Sequence, residues 1–487
     1  MFLHRSFVRT LPLAGESRWI CLLALQAHGN AHAAADAQGG EALLGVAAAH
    51  LEQQRVEHAR TRGAHRVADG DGAAVDVDDV GVPAHVLVDR AGLGGEGFVG
   101  LDQIQIVGLP AGLGEGGAER VISSIAGAAI ARGWTVTVIT FDAPDDPIFH
   151  AIDPRAQLIR LAVPAGSGGL SAYAAGIRRA RALRRALDAG NYDVVISFLT
   201  KINVLTLLAT LGRHTPVIVS ERNNPDRQPA HPLWQMMLHR LYPRAAGIVT
   251  LTERGKTRMR IADRSKVTVI PNPIPALAFE PRREKPPQLV AVGRLTEQKG
   301  FDLLIDAFAG IAARFPDWSL VIFGEGPERP RLEAMVRDHG LQHRIRLPGN
   351  TERHAEWISA ASMFVLSSRY EGFANVVGEA MRAGLAVVAS DCDFGPGEMI
   401  EQEVSGLLVP PEDCAQLATA LGRVMSSGTL LRRLGSNAKR RATLFDERII
   451  LDRWLGLIAS AADRQPATSS GKSFRSGSRL HALIRSR

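Results

Sequence analysis

The segment SSRYEGFANVVGEAMRAG, residues 367 to 384, carries two acids, Glu371 and Glu379, on either side of an expected helix start at Asn375. Glu371 falls in the loop before the helix, where a carboxylate accepts hydrogen bonds from sugar hydroxyls. Glu379 falls just over one turn in, facing the same cleft. Between them the free backbone N–H groups of Asn375, Val376 and Val377 form an anion site by geometry and helix dipole. Upstream, Arg294 and Lys299 in VGRLTEQKG follow the strand QLVAVG. Two cations at the carboxyl end of a strand suit a diphosphate, whose charge on departure they would neutralise without reorganisation. Taken singly, each residue has an ordinary reading: a cap, a surface charge, a solvated lysine, a turn at Gly372, a core side chain at Phe373. Taken together, acid, anion hole and acid match sugar, phosphate and ribose.

A second glycine-rich stretch, IQIVGLPAGLGEGGAER (104 to 120), spells G-x-G-x-x-G with Gly112, Gly114 and Gly117. With Asp142 ending the next strand, WTVTVITFD, it invites a dinucleotide-binding reading, and hence a nicotinamide-dependent dehydrogenase. A lone fingerprint is weak, and Leu109 to Ala111 separate the strand from its first glycine. What the stretch secures is a βαβ unit whose loop and helix N-terminus approach an anion.

These residues need a frame. From residue 103 apolar runs alternate with helical periodicity: IQIVG, VTVITF, VVISFL, PVIVS and GIVTL, then, after the Pro-rich PNPIPALAFEPRREKPP, QLVAVG, SLVIFG, RIRLPG, SMFVLSS, AVVAS and GLLVP. Such alternation predicts two doubly wound parallel sheets of the α/β class, facing across a cleft. The expected boundaries are an N-terminal Rossmann-like domain over 103–273, a linker over 274–287 and a C-terminal Rossmann-like domain over 288–445. A helix over 446–464 packs back on the first domain, and 465–487 is a basic flexible tail. Ligands of open parallel sheets lie beyond the carboxyl ends of the strands, which places the site in the cleft.

The 487 residues exceed one hydrophobic core, and three cysteines without C-x-x-C spacing argue against disulfide scaffolding and structural zinc. Residues 1 to 103 carry 8 arginines and 13 acids, a net −5, leaving +12 on the remainder. Residues 1–102, lacking a sustained period, read as a disordered or spurious extension. Arg5, Arg9 and Arg18 before the apolar run WICLLALQA outline an export signal, which an activated phosphorylated donor disfavours. Few aromatics, none interleaved with basic clusters, exclude stacking on nucleic acid. No run approaches transmembrane length. Three D-x-D strings occur, at Asp69–Asp71, Asp76–Asp78 and Asp391–Asp393, and no metal is assigned to them.

From Gln103 to about Ala461 the chain resembles the retaining glycosyltransferases of family 4, with the GT-B fold. The resemblance is carried by GEGGAER, VGRLTEQKG, FGEGPER, EGFANVVGE, EAMRAGLAVVASD and EQEVSGLLVPPED. It implies that Arg294 and Lys299 bind the donor diphosphate, Glu371 the donor sugar, Glu379 the ribose, and the backbone at Gly349 and Asn350 the nucleobase. Gly116 and Gly117 would approach from the opposite domain. Glu371, Arg294 and Lys299 become the catalytic set, with no cofactor beyond the donor, a UDP-hexose or UDP-N-acetylhexosamine. Many relatives carry a histidine where this chain reads SERNNP (220 to 225), so Glu221, Arg222 or Asn223 occupies that neighbourhood. This resembles a branch associated with capsular and exopolysaccharide assembly. Ala374 replaces the glycine common after E-G-F, which a negative φ would tolerate. Basic apolar segments at 178–187, 231–244 and 471–487 read either as ordinary helices with a solvated basic face or as membrane-surface segments; with the SERN branch they favour a lipid-diphosphate-linked saccharide acceptor and peripheral contact with the anionic inner face of the cytoplasmic membrane. A sugar nucleotide epimerase of the same fold and a non-catalytic sugar-binding scaffold are the alternatives.

Overall fold

Runs such as VVISF and AVVAS are buried at every position, which only a strand covered by helices on both faces allows. The computed structural model describes residues 104–109, 113, 117–166, 169–222, 232–259, 261, 263–276, 287–351 and 354–463. The extension, the tail, Gly116, Asn223 and most of the linker lie outside the described residues.

In the first sheet, β1 (Gln105–Leu109), β2 (Thr135–Thr140), β3 (Gln157–Arg160), β4 (Val194–Phe198), β5 (Val217–Ser220), β6 (Gly247–Thr250) and β7 (Val267–Val269) take the order β3-β2-β1-β4-β5-β6-β7. Its helices are α1 (Gly117–Ala131), α2 (Gly169–Asp188), α3 (Thr200–Ala209), α4 (Pro232–Leu241) and α5 (Glu253–Arg258). In the second, β8 (Gln288–Val292), β9 (Ser319–Phe323), β10 (Ile345–Gly349), β11 (Met363–Leu366), β12 (Ala386–Ser390) and β13 (Leu407–Val409) take the order β10-β9-β8-β11-β12-β13. Here the helices that matter below are α6 (Phe301–Ala312) and α7 (Asn375–Arg382). All pairings within each sheet are parallel. Each sheet reverses its winding between its first and fourth strands, which opens a crevice there.

Every strand expected from the apolar runs is present. Two more were not anticipated. QLIR of β3 is a half-exposed edge strand and VTV of β7 spans three residues, so neither shows the buried run that marks its neighbours. β1 continues through Leu109, one residue beyond the expected strand, and α1 begins at Gly117.

The chain crosses between the sheets twice, side by side. Ile274, fully buried, donates its N–H to Phe445 O at 2.9 Å, and Ile274 and Asp446 form a parallel bridge. A closing helix, α8 (Glu447–Asp463), then returns to the first sheet, where Ile450, Trp454, Leu455 and Ile458 join β1, β4 and α1 in one core. The Trp454 ring lies 5.7 Å from that of Phe198. Its Nε1 is buried without a hydrogen-bond partner. Trp454→Ala should therefore cost about 3–5 kcal/mol in denaturant unfolding. Trp454→Phe, which discards the unsatisfied N–H, should cost far less, and equal losses would contradict this packing.

Candidate functional site

A cleft of about 560 Å³ opens beyond the carboxyl ends of both sheets. Gly117, Glu119, Arg222 and Asn272 line one side, and Arg294, Lys299 and Tyr370 to Val376 the other.

The second wall is two loops stitched together. Gly300 adopts φ +60°, and a Cβ there would stand 2.2 Å from Ser367 O, so only glycine lets the turn at 297–300 lie against the 367–374 loop. The Arg369 N–H donates to Gln298 O at 2.8 Å, and Gln298 Nε2 donates to Tyr370 O at 3.0 Å. The Arg369 guanidinium grips Asp302, in the first turn of α6, through two bonds of 2.9 and 2.8 Å. So held, Lys299 Nζ reaches Glu371 Oε1 at 2.7 Å, and Ser368 Oγ donates to the same oxygen at 2.6 Å. The predicted diphosphate cation and sugar acid are thus one ion pair, with Glu371 buried. Arg294 is exposed and makes no ion pair or hydrogen bond with the described residues through its side chain.

The start of α7 differs from expectation in one respect. The Val377 N–H is not free: it donates to Ala374 O at 2.9 Å. Those of Asn375 and Val376 have no partner among the described residues, leaving two open donors rather than three. Ala374 takes φ −55°, the negative value its methyl requires.

Glu379 is buried: its side chain is 3% exposed and accepts a bond from Arg120 Nη1 at 2.9 Å, tying α7 to α1. Gly349 ends β10 at φ +100° and its carbonyl accepts from the Gly324 N–H at 2.8 Å. Gly117 does approach the opposite side: a Cβ on it would lie 2.9 Å from Asn375 Nδ2.

The residues after β5 divide. Glu221 is structural, accepting from Thr200 Oγ1 at 2.6 Å and Tyr242 Oη at 2.7 Å. Burial, with the Glu221 charge beside it, pushes the Tyr242 phenol well up. Arg222 faces the cleft. Its guanidinium lies over the Phe198 ring at 4.8 Å, its Nε donates to Ser220 Oγ at 3.1 Å and its Nη1 to Asn272 Oδ1. Burial lowers it to about 9, opposed by the charge of Glu119, so it is a cation at neutral pH. Burial in turn raises the Glu119 carboxyl, offset by its own backbone hydrogen bond and by Arg222. Sequence reasoning passed over Glu119, Arg120 and Asn272, although GEGGAER and PNP contain them. In the third D-x-D string, Asp391 is gripped by Arg254 at 2.8 and 3.3 Å, and Asp393 O accepts the Glu371 N–H at 2.9 Å.

Known proteins share this arrangement. Residues 116–273 match the family described as glycosyl transferase 4-like domain, and 276–441 match glycosyl transferases group 1. An exopolysaccharide phosphotransferase of Streptomyces coelicolor is 31% identical over 58% of this chain, which spans only 30% of that protein's length. An N-acetyl-D-galactosaminyltransferase of Campylobacter jejuni, named for a diNAcBac-PP-undecaprenol glycan, is 27% identical over 71% of this chain and 96% of its own. HepE of Anabaena, solved with UDP, superposes with a TM-score of 0.61 at 19% identity, covering 73% of this chain and all of that one.

Because the Asn375 amide is held by Asn272 Nδ2 at 2.8 Å, it cannot swing away from a methyl at position 117 without breaking that bond. Gly117→Ala should lower stability by about 1 kcal/mol in urea unfolding, the worth of one neutral hydrogen bond. An unchanged midpoint would mean that the two lobes do not meet at Asn375.

Proposed function

The chain belongs to the glycosyltransferases of the family 4 type, with the GT-B fold, and we propose that it transfers a hexosyl group with retention from a nucleoside diphosphate sugar to a lipid-diphosphate-linked saccharide. UDP-hexose or UDP-N-acetylhexosamine is the donor on this reading. One observation carries it: Arg294, Lys299 and the two open N–H groups of α7 converge on a single cleft, with Glu371 beside them.

The bond that breaks joins the anomeric carbon to the diphosphate. Negative charge grows on the departing oxygen, and fixed donors facing it stabilise that charge most where water is excluded. Arg294, uncommitted in the free protein, would meet the diphosphate directly. Lys299 has three N–H donors and can span Glu371 and a phosphate. Glu371 uses one oxygen for Lys299 and Ser368, leaving the other for a sugar hydroxyl. The acceptor hydroxyl attacks the face the diphosphate leaves, and the departing phosphate oxygen takes its proton. No side chain is assigned as base. The two cations and the helix start supply the neutralisation that a divalent metal gives other transferases.

For the acceptor, a groove of about 510 Å³ lies between α2, α3 and α4, walled by Tyr173, Ile177, Leu205, Leu208, Trp234 and Met237, with Arg181 and Arg184 at its edge. Apolar walls with a cationic rim suit a lipid bearing a diphosphate. No described helix is long and apolar enough to cross a membrane, and we place the protein peripherally on the inner face of the cytoplasmic membrane. The undecaprenol diphosphate in the name of the Campylobacter relative supports this acceptor class, and UDP in HepE the donor.

Glu371→Ala should abolish acceptor-dependent release of the nucleoside diphosphate in a chain that still folds; full activity would refute the assignment. Arg294→Ala should lower turnover by about 10²–10³-fold, as loss of a charge-stabilising donor does. Transfer should persist after exhaustive chelation, and a requirement for added divalent metal would remove the two cations from their proposed role.

A further inference from the structure

Arg222 is a cation only 9% exposed, at a cleft wall, with its Nη2 buried and without a partner among the described residues. Arginine carries donors and no acceptor, so its Nη1 can bond only the oxygen of the Asn272 amide. That fixes which end of the amide is which. Asn272 is left with its Nδ2, which donates to Asn375 Oδ1 at 2.8 Å and so orients a second amide in turn. The Asn375 Nδ2 consequently points away from Asn272, beside Gly117, and no described residue accepts from it. The guanidinium is held in place by Ser220 and the Phe198 ring.

We infer that Arg222 and Asn272 are positioning residues that, through two amides in series, turn the Asn375 side chain to donate an N–H to the donor's sugar-bearing phosphate. It joins the open backbone donors of Asn375 and Val376 at the start of α7. Asn375 follows Glu371, the acid read as holding the sugar, so the phosphate next to the sugar is the one in reach. Were either amide reversed, a carbonyl oxygen would face the phosphate and repel it. This role rests on the reading of the cleft as a nucleoside diphosphate site.

Aspartate at 272 still accepts from Arg222 but cannot donate to Asn375, whose amide then reverses to give its Nδ2 to the new carboxylate. Calorimetric titration of the full chain with UDP, GDP and ADP, and with the monophosphate of whichever binds, tests this in wild type, Asn272→Asp, Asn375→Ala and the double variant. Asn272→Asp should weaken the diphosphate about tenfold and the monophosphate less than about twofold. In the Asn375→Ala background it should have no further effect, there being no amide left to turn. Unchanged diphosphate affinity, equal weakening of both nucleotides, or an effect that persists without Asn375 would overturn the relay. Should Asn272→Asp not fold, Asn375→Asp replaces the donor by an oxygen at a half-buried position; it carries the same expectation and is overturned by the same unchanged affinity. Wild type binding none of the three diphosphates would overturn the nucleotide reading of the cleft, and the relay with it.

Discussion

Positive charge gathered in a protein cleft repels itself until an anion arrives, and here carboxylates hold it in place. Lys299 is paired with Glu371, Arg120 with Glu379, and Arg222 feels the charge of Glu119. A half-buried cation without a partner would shift its protonation or swing into water, since the interior penalises isolated charge. Pairing removes that penalty while leaving donors to spare. Arg294 alone of the cleft cations is left to solvent, at the mouth where water still screens it. The arrangement separates a site that is organised in advance from one that must be assembled by its ligand.

One of these pairs also joins the two lobes. Arg120 stands on α1 and Glu379 on α7, and the Asn272–Asn375 bond crosses between the lobes nearby. The second contact sits at the start of α7, where the open N–H groups of Asn375 and Val376 face the cleft. Any ligand that draws on those groups therefore acts where the lobes already touch, so binding and closure are coupled through few contacts.

Much of this was legible in the sequence, and the remainder failed for definite reasons. Strands buried on both faces announce themselves as uninterrupted apolar runs, and SMFVLSS or AVVAS could hardly be anything else. The half-exposed QLIR and the three-residue VTV carry no such signal. Glu371, Arg294 and Lys299 were picked out by type and position, and they do meet. That Lys299 binds Glu371 across 72 positions depends on how β8 and β11 lie side by side, which one sequence does not display. Glu379 was placed on its helix, but that Arg120 would meet it from the opposite lobe is a pairing across 259 positions that periodicity does not display. Glu119, Arg120 and Asn272 carry no signal of their own in the sequence, their importance arising only from what lies opposite.

The returning helix α8 has a bearing on how such a chain comes into being. Trp454 and its neighbours complete a hydrophobic interior begun at β1, the first described strand. During synthesis from the amino end the first lobe therefore emerges with an open apolar seam, sealed only when the second lobe has left the ribosome.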